Sequence, residues 1–438
     1  MTSTSPTKMQ LQHLADFKPQ ALTRAWASIP NPNGLPLLAT ATSDKTVRVY
    51  SLINFTLHSM LEGGHERSVR SAAWKPGVRK DGALTIASGS FDGTMGLWKR
   101  EEEQNDEELE LEIGADGAVH KGPQLRKGGD ENSDSDEAED WEFSAVLEGH
   151  DSEIKHVAYS PSGQYLASCS RDKSIWIWEE IGDEDEVEFE TTAILNGHHT
   201  ADIKCICWRK DDGNGEVLAS ASYDDTIRLY REDGDGDWGE VAILNGHEGT
   251  VWSLDWEPDV SKTSDSSDDS SVPSTQRLIS SSADLTIRVW SRVPTPPPQN
   301  KPSYFNPGIP STMRPAPEEE TWECTATLPK VHDLPIYSIK WSEKSGRVVS
   351  TGGDGRVAIY EERTKGRSSV GGAIEKEWVV LTTLEGAHGP YEINHATWCM
   401  RFDSGKKAGE EMIITTGDDG FAKAWSIDEN VENNKVAA

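Results

Sequence analysis

Several things are scarce in this chain of 438 residues, and each scarcity removes a class of protein. Cysteine occurs five times, at 169, 205, 207, 324 and 399, an odd number at irregular spacing. That is no disulfide framework, and it points to a reducing compartment, cytoplasmic or nuclear. Positive charge is outnumbered: 43 Lys and Arg face 75 Asp and Glu, a formal net charge of −32. Bulk attraction to nucleic acid or to anionic lipid is therefore not expected. No apolar run nears the roughly 18 residues of a membrane span. Met1 to Lys8 is Ser/Thr-rich without the apolar stretch of a secretion signal and reads as a flexible tail. No phosphate-cradling glycine loop or G-x-S-x-G elbow occurs.

Against these gaps stand 16 tryptophans, 38 glycines and a repeat. Seven times an Asp is followed six residues later by an aromatic closing a short apolar run. The pairs are Asp44 and Tyr50, Asp92 and Trp98, Asp172 and Trp178, Asp224 and Tyr230, Asp284 and Trp290, Asp354 and Tyr360, Asp419 and Trp425. Six are preceded by a Gly-His or similar pair: Gly64-His65, Gly149-His150, Gly197-His198, Gly246-His247, Val331-His332 and Ala387-His388. Repeats with a WD-like ending and an upstream Gly-His resemble the WD40 blade, a four-stranded sheet. One blade cannot bury both faces and needs neighbours. The expectation is all-β: a seven-bladed β-propeller over 9–428, with a C-terminal tail at 429–438. The stretch 9–17, MQLQHLADF, reads as a strand with no repeat before it. It is expected to supply the outer edge of the last blade and so close the ring.

Successive closing aromatics lie 48 to 80 residues apart, against about 40–45 for a usual repeat. The excess falls in an acidic insertion at 101–140, a Ser/Asp-rich loop at 259–276, a Pro-rich loop at 291–320, and 361–377. The first of these holds sixteen Asp and Glu against three basic residues. Each follows the first or third strand of its blade, so antiparallel pairing puts all of them on one rim. The opposite face keeps short turns.

Four positions recur together: the upstream His, a Ser or Thr on the second strand, the turn Asp and the closing aromatic. They are His65, Ser88, Asp92 and Trp98; His150, Ser168, Asp172 and Trp178; His247, Ser280, Asp284 and Trp290; His388, Thr415, Asp419 and Trp425. Imidazole, carboxylate, hydroxyl and indole N–H can satisfy one another as a buried polar chain. A Ser-His-Asp set that recurs with a Trp in blade after blade is architecture, so no enzyme is expected. Cys205-x-Cys207 reads as packing residues on a strand, since no second pair lies at zinc-like spacing. Arg48, Arg228 and Arg288 are expected to bridge blades.

WD40 likeness and the repeat alignment place two positions per blade at the channel mouth of the short-loop face. One set is Ser43, Phe91, Arg171, Tyr223, Ala283, Gly353 and Asp418; the other is Leu22, Arg70, Lys155, Lys204, Trp252, Tyr337 and Asn394. Cations gather on blades 2 to 4 and aromatics on blades 4 to 6, types favoured at protein interfaces. The alternative is local pairing, with Glu153 and Asp202 neutralising the lysines.

A narrower likeness rests on longer stretches. SRDKSIWIWE (170–179), SYDDTIR (222–228), LNGHEGTVWS (244–253) and HGPYEIN (388–394), in this order, resemble the cytosolic iron–sulfur protein assembly protein 1 family, as a fungal member. The resemblance implies a non-catalytic scaffold that needs no cofactor of its own. Its implied partners are a MIP18-type protein, a HEAT-repeat adaptor, an iron-only-hydrogenase-like Fe–S protein and apo iron–sulfur client proteins. The family's exposed arginine in the SRDK turn corresponds to Arg171. Two other readings remain: a chromatin or ubiquitin-ligase adaptor, and a direct cluster carrier using Cys205 and Cys207.

Overall fold

The computed structural model describes residues 9–77, 83–100, 141–181, 188–210, 215–232, 237–258, 277–294, 319–367 and 374–429. The insertions at 101–140 and 259–276, most of the Pro-rich loop and almost all of both tails lie outside these residues. Among the described residues are twenty-eight strands and no helix. They form seven four-stranded sheets, one per blade. Six blades use four consecutive strands. In the seventh, Gln10–Asp16 pairs antiparallel with Ala422–Asp428, setting Leu11 opposite Ile427 and His13 opposite Trp425. The chain's first strand thus completes its last blade, as 9–17 led one to expect.

The second strand of a blade has a neighbouring blade over each face, and its composition follows from that. Leu37–Thr42, Leu84–Ser90, Tyr165–Ser170, Val217–Ser222, Leu278–Ser282 and Val348–Gly352 are buried at every residue. Small Ala and Ser alternate there with branched apolar residues, because two sheets must approach one strand closely. Seven apolar clusters fill the seven blade–blade interfaces. The cluster between blades 7 and 1 joins Phe17, Leu38, Tyr50 and Leu52 to Cys399, Met412 and Ile414.

A polar girdle runs through the same interfaces at the third residue of the innermost strands. Ser71 accepts the Val157 N–H at 3.2 Å, Ser253 that of Ile339 at 3.3 Å, and Ser338 that of Ala396 at 3.2 Å. Nδ1 of His156 accepts from Ile206 at 3.5 Å, and Nδ1 of His395 from Ser28 at 3.3 Å across the closing seam. Each bond satisfies a buried backbone donor of the next blade.

In all seven blades the residue after the turn Asp has a positive φ: Lys45, Gly93, Lys173, Asp225, Leu285, Gly355 and Gly420. At Gly420 a Cβ would stand 2.5 Å from the carbonyls of Ala21 and Thr23, so glycine is required there by space as well as by torsion. Residues 361–377 are mostly strand rather than an insertion loop. Val357–Arg367 and Ile374–Leu384 form one long hairpin with Thr364 opposite Lys376.

Candidate interaction face

The polar chains are complete in blades 2, 3, 5 and 7. In blade 3, His150 Nδ1 lies 2.7 Å from Asp172, and Nε2 lies 2.8 Å from Ser168 Oγ, which accepts the Trp178 indole N–H at 3.4 Å. The same links join His65 to Asp92 (3.3 Å) and Ser88 (2.8 Å), with Trp98 on Ser88 at 2.9 Å. His247 meets Asp284 and Ser280 at 2.8 and 2.7 Å, with Trp290 on Ser280 at 2.8 Å. His388 meets Asp419 and Thr415 at 2.8 Å each, with Trp425 on Thr415 at 2.9 Å. Burial alone would raise the Asp172 carboxyl; the bonds from His150 and Ser174 outweigh it and hold it at about 2. Asp92, Asp224 and Asp284 are held below the usual carboxylate range by the same contest. Both imidazole nitrogens are engaged within each chain, so the repeated Ser-His-Asp set holds turns in place.

Blade 4 departs from the Gly197-His198 reading. His199 reaches Asp224 at 3.0 Å and Ser220 at 2.7 Å, while His198 turns out to Glu240 at 3.1 Å. In blades 2 to 6 the bonding histidine stands four residues before the first apolar residue of the innermost strand, as His150 does before Ile154, and His199 keeps that count with Ile203. Blade 6 uses His332 with Asp354 and Ser350 at 3.0 and 2.7 Å, ending on Tyr360. In blade 1 no histidine reaches the turn Asp; Asp44 is held by Thr42, Thr46 and Arg48 instead. Arg48 bonds the Gln20 carbonyl at 3.1 Å, Arg228 meets Glu240 at 2.5 Å, and Arg288 meets Thr286 at 3.3 Å. All three stay within their own blades, because this third-strand position faces the blade's own edge and entry link.

At the mouth, cations and aromatics interleave instead of forming two separate arcs. Lys155 Nζ lies 4.4 Å from the centre of the Phe91 ring, and Lys204 Nζ lies 5.3 Å from both Tyr223 and Trp252. Trp252 meets Tyr337 edge to face at 5.2 Å. Arg70 lies 4.8 Å over Trp26, and burial draws its guanidinium down to about 10. Local pairing is also real: Glu153 takes Lys155 at 2.6 Å and Arg67 at 3.3 Å, and Asp202 takes Lys204 at 3.2 Å. Arg171 reaches Glu153 only at 3.9 Å and keeps a side chain 59% exposed. Tyr223 is 60% exposed beside it. Glu153, Lys155, Arg171, Asp202, Lys204 and Tyr223 line a depression of about 200 Å³. Such a surface offers charge-assisted hydrogen bonds and ring faces to an acidic or aromatic side chain.

Two positions read from sequence take different roles. Asn394 is buried and donates to the Ala25 carbonyl at 3.0 Å and to Asp418 at 2.8 Å, so it ties blade 7 to blade 1. Leu22 is 90% exposed ahead of the strand, and the blade 1 equivalent at the mouth is Trp26. Register shows it: Ala25 pairs with Thr42 as Ile154 pairs with Ser170. A small Ala in place of Val or Ile hid that alignment.

The paired cysteines sit in the walls. Cys205 occupies the girdle position between blades 4 and 5 and receives the Leu254 N–H, while the Cys207 carbonyl accepts the Trp256 indole at 3.1 Å. Burial pushes both thiols above their ordinary value. Among the described residues no group of three or more His, Cys, Asp or Glu is placed to hold a metal ion.

Seven blades locked by His, Ser/Thr and Asp behind a closing Trp or Tyr, in six of the seven, define a WD40 β-propeller, a class of generally non-catalytic scaffolds. The WD40 family (WD domain, G-beta repeat) matches residues 56–99, 141–179, 189–231, 238–291 and 322–361. Probable cytosolic iron-sulfur protein assembly protein 1 of Botryotinia fuckeliana is 77% identical over 98% of this chain and all of its own length. The Sclerotinia sclerotiorum protein of that name is 76% identical over the full length of both chains. That of Neurospora crassa is 44% identical over 97% of each. The chain belongs to the cytosolic iron–sulfur protein assembly protein 1 family.

Proposed function

We propose that this chain is a scaffold of cytosolic iron–sulfur protein assembly, bringing cluster-delivery factors and apoprotein clients together through the mouth centred on Arg171. The observation that carries the reading is full-length identity to relatives bearing that name, joined to an exposed arginine among ring faces. The chemistry is done by partners: a MIP18-type protein, a HEAT-repeat adaptor, an iron-only-hydrogenase-like Fe–S protein and the apo clients. The place of work is the cytosol, with the nucleus as a second compartment. The wall positions of Cys205 and Cys207 favour the scaffold over a cluster carrier.

The test is affinity purification of the full chain and of Arg171→Glu, with the bound proteins identified. Iron–sulfur maturation factors should be recovered by the wild type. Recovery should drop at least about tenfold for the charge reversal, with stability changed by no more than about 0.5 kcal/mol at so exposed a site. Undiminished recovery by a folded Arg171→Glu protein would remove the mouth from the reading. Histones or ligase subunits in place of maturation factors would remove the scaffold assignment.

A further inference from the structure

The underside of blades 6 and 7 carries a basic cradle that the mouth does not use. The loop from Arg401 to Glu410 joins the first two strands of blade 7, and its own acids hold it rigid. Asp403 takes Arg401 Nε at 2.8 Å and Nη2 at 2.7 Å; Glu410 takes Nη1 at 2.8 Å and the Lys407 backbone N–H at 2.9 Å. Nearby, Glu411 receives the Ser342 hydroxyl at 2.9 Å. With those carboxylates engaged, the exposed ammonium groups of Lys406 and Lys407 are left over. Lys344 of blade 6 joins them, donating to the Gly409 carbonyl. None of these three lysines forms an ion pair among the described residues. Lys406 lies 5.5 Å from the Phe402 ring, and Met400, Phe402, Lys407 and Ala408 help to line a depression of about 300 Å³.

Most other cations on this rim among the described residues are engaged, though Lys210 of blade 4 is exposed and stands alone. Lys75 pairs with Glu180, Arg231 and Arg292 with Glu320, Arg277 with Glu257 and Glu362, and Arg347 with Glu361 and Glu429. Three unpaired lysines around an apolar floor, on a chain of net charge −32, call for an acidic occupant with apolar residues between its acids.

We propose that this cradle is a docking site for such a segment, and that its occupant in the free protein is the chain's own 101–140. That stretch lies outside the described residues, but its composition and its points of attachment are known. It contains Glu108-Leu109-Glu110-Leu111-Glu112-Ile113, strict alternation of acid and aliphatic. Carboxylates from one side of that run suit Lys344, Lys406 and Lys407, and leucines from the other suit Met400 and Phe402. Of its flanks, Arg100 ends the third strand of blade 2 and Trp141 precedes the fourth, Glu142–Leu147, and the connection between those strands emerges on the same rim as the cradle. Thirteen residues from Arg100 to Ile113 extend up to about 45 Å, against a radius of gyration of about 22 Å for a compact chain of this size. Tethering supplies an effective concentration near ~1 mM, so an intrinsically weak contact is still occupied. An acidic partner segment has to displace it.

The test uses the full chain and amine labelling read by mass spectrometry. Lys406 and Lys407 should label about tenfold more slowly in the wild type than in a variant carrying Glu108→Gln, Glu110→Gln and Glu112→Gln. That protection corresponds to a ~0.1 mM contact at ~1 mM effective concentration. High salt should abolish the difference, and exposed Lys45 on the opposite face should show none. A zero-length carbodiimide coupling should join Lys406 or Lys407 to Glu108, Glu110 or Glu112 within one chain. Equal labelling without such crosslinks overturns the proposal. Crosslinks only between chains would make the occupant a second copy, and protection that appears only when another protein is added would make it a partner. Both results also overturn it. The mouth reading does not depend on the outcome.

Discussion

The seam where blades 7 and 1 meet and the interior of the ring solve one problem in two ways. Interior blades are covalently continuous, and each clamps its turn with a histidine chain. The seam is closed by a strand from the far end of the chain, with Phe17 fully buried against Tyr50 at 5.4 Å and Phe55 at 5.3 Å. Its first blade has no histidine on the turn Asp, and Asp44 is neutralised by Arg48 at 2.7 Å. Burial would raise the Asp44 carboxyl too, yet hydrogen bonds from Thr42, Thr46 and Arg48 hold it low. The comparison teaches that the turn carboxylate needs saturation rather than a particular partner. Where a blade receives the chain from a link without the Gly-His, an arginine suffices.

The largest way to break this comparison is to remove the seam. Deleting residues 1–17 exposes what Met9, Leu11 and Phe17 cover, each worth about 1.5–3 kcal/mol, and unpairs the edge of Ala422–Asp428. The expected loss of roughly 5–9 kcal/mol is most of a typical domain's stability. Urea titration should show a transition shifted far down or absent. A midpoint near that of the full chain would mean the ring does not need its borrowed strand.

Next in size is the interior clamp. His150→Ala leaves Asp172 and Ser168 short of a partner and should cost roughly 3 kcal/mol. Arg48→Ala leaves Asp44 its two threonine hydroxyls and should cost about half as much. Acid sharpens the same contrast. Asp172 has a folded value depressed to about 2, below an unfolded value near ~3.9. Its contribution is therefore fully present above about pH 4 and lost as pH falls toward 2. Unfolding free energy should fall over that window, and less steeply in Asp172→Asn.

The smallest effect concerns the turns. Leu285 holds φ at 68° where blades 2, 6 and 7 place glycine. Leu285→Gly should stabilise by up to about 1 kcal/mol, the relief of left-handed strain less the entropy of glycine. A clear loss of stability in thermal unfolding would show that the leucine side chain has a role the torsion does not reveal.

Repetition made the fold legible. An Asp four residues after a Ser or Thr and six before a Trp, with a His upstream, in blades 2, 3, 5 and 7 named the contacts, and the orphan strand at 9–17 announced ring closure. The misreadings arose where the repeat degenerates: two adjacent histidines at 198 and 199, and Ala25 standing where other blades carry Val or Ile. The girdle of Ser71, His156, Cys205, Ser253, Ser338 and His395 went unread because its members share no chemistry. They share only a position and a backbone donor from the next blade.

By itself the sequence determined the number of blades, the identity of most clamps and the rim on which insertions emerge, since periodicity and antiparallel pairing are local rules. Tertiary structure alone decided which cations stay free. Arg171, Lys155 and Lys204 look alike along the chain, yet Glu153 and Asp202 neutralise the lysines and leave the arginine open. The lysine pairs are two residues apart and were open to the sequence; that Arg67 of the neighbouring blade also takes Glu153, leaving Arg171 3.9 Å away, is a distance in space that no spacing in sequence encodes.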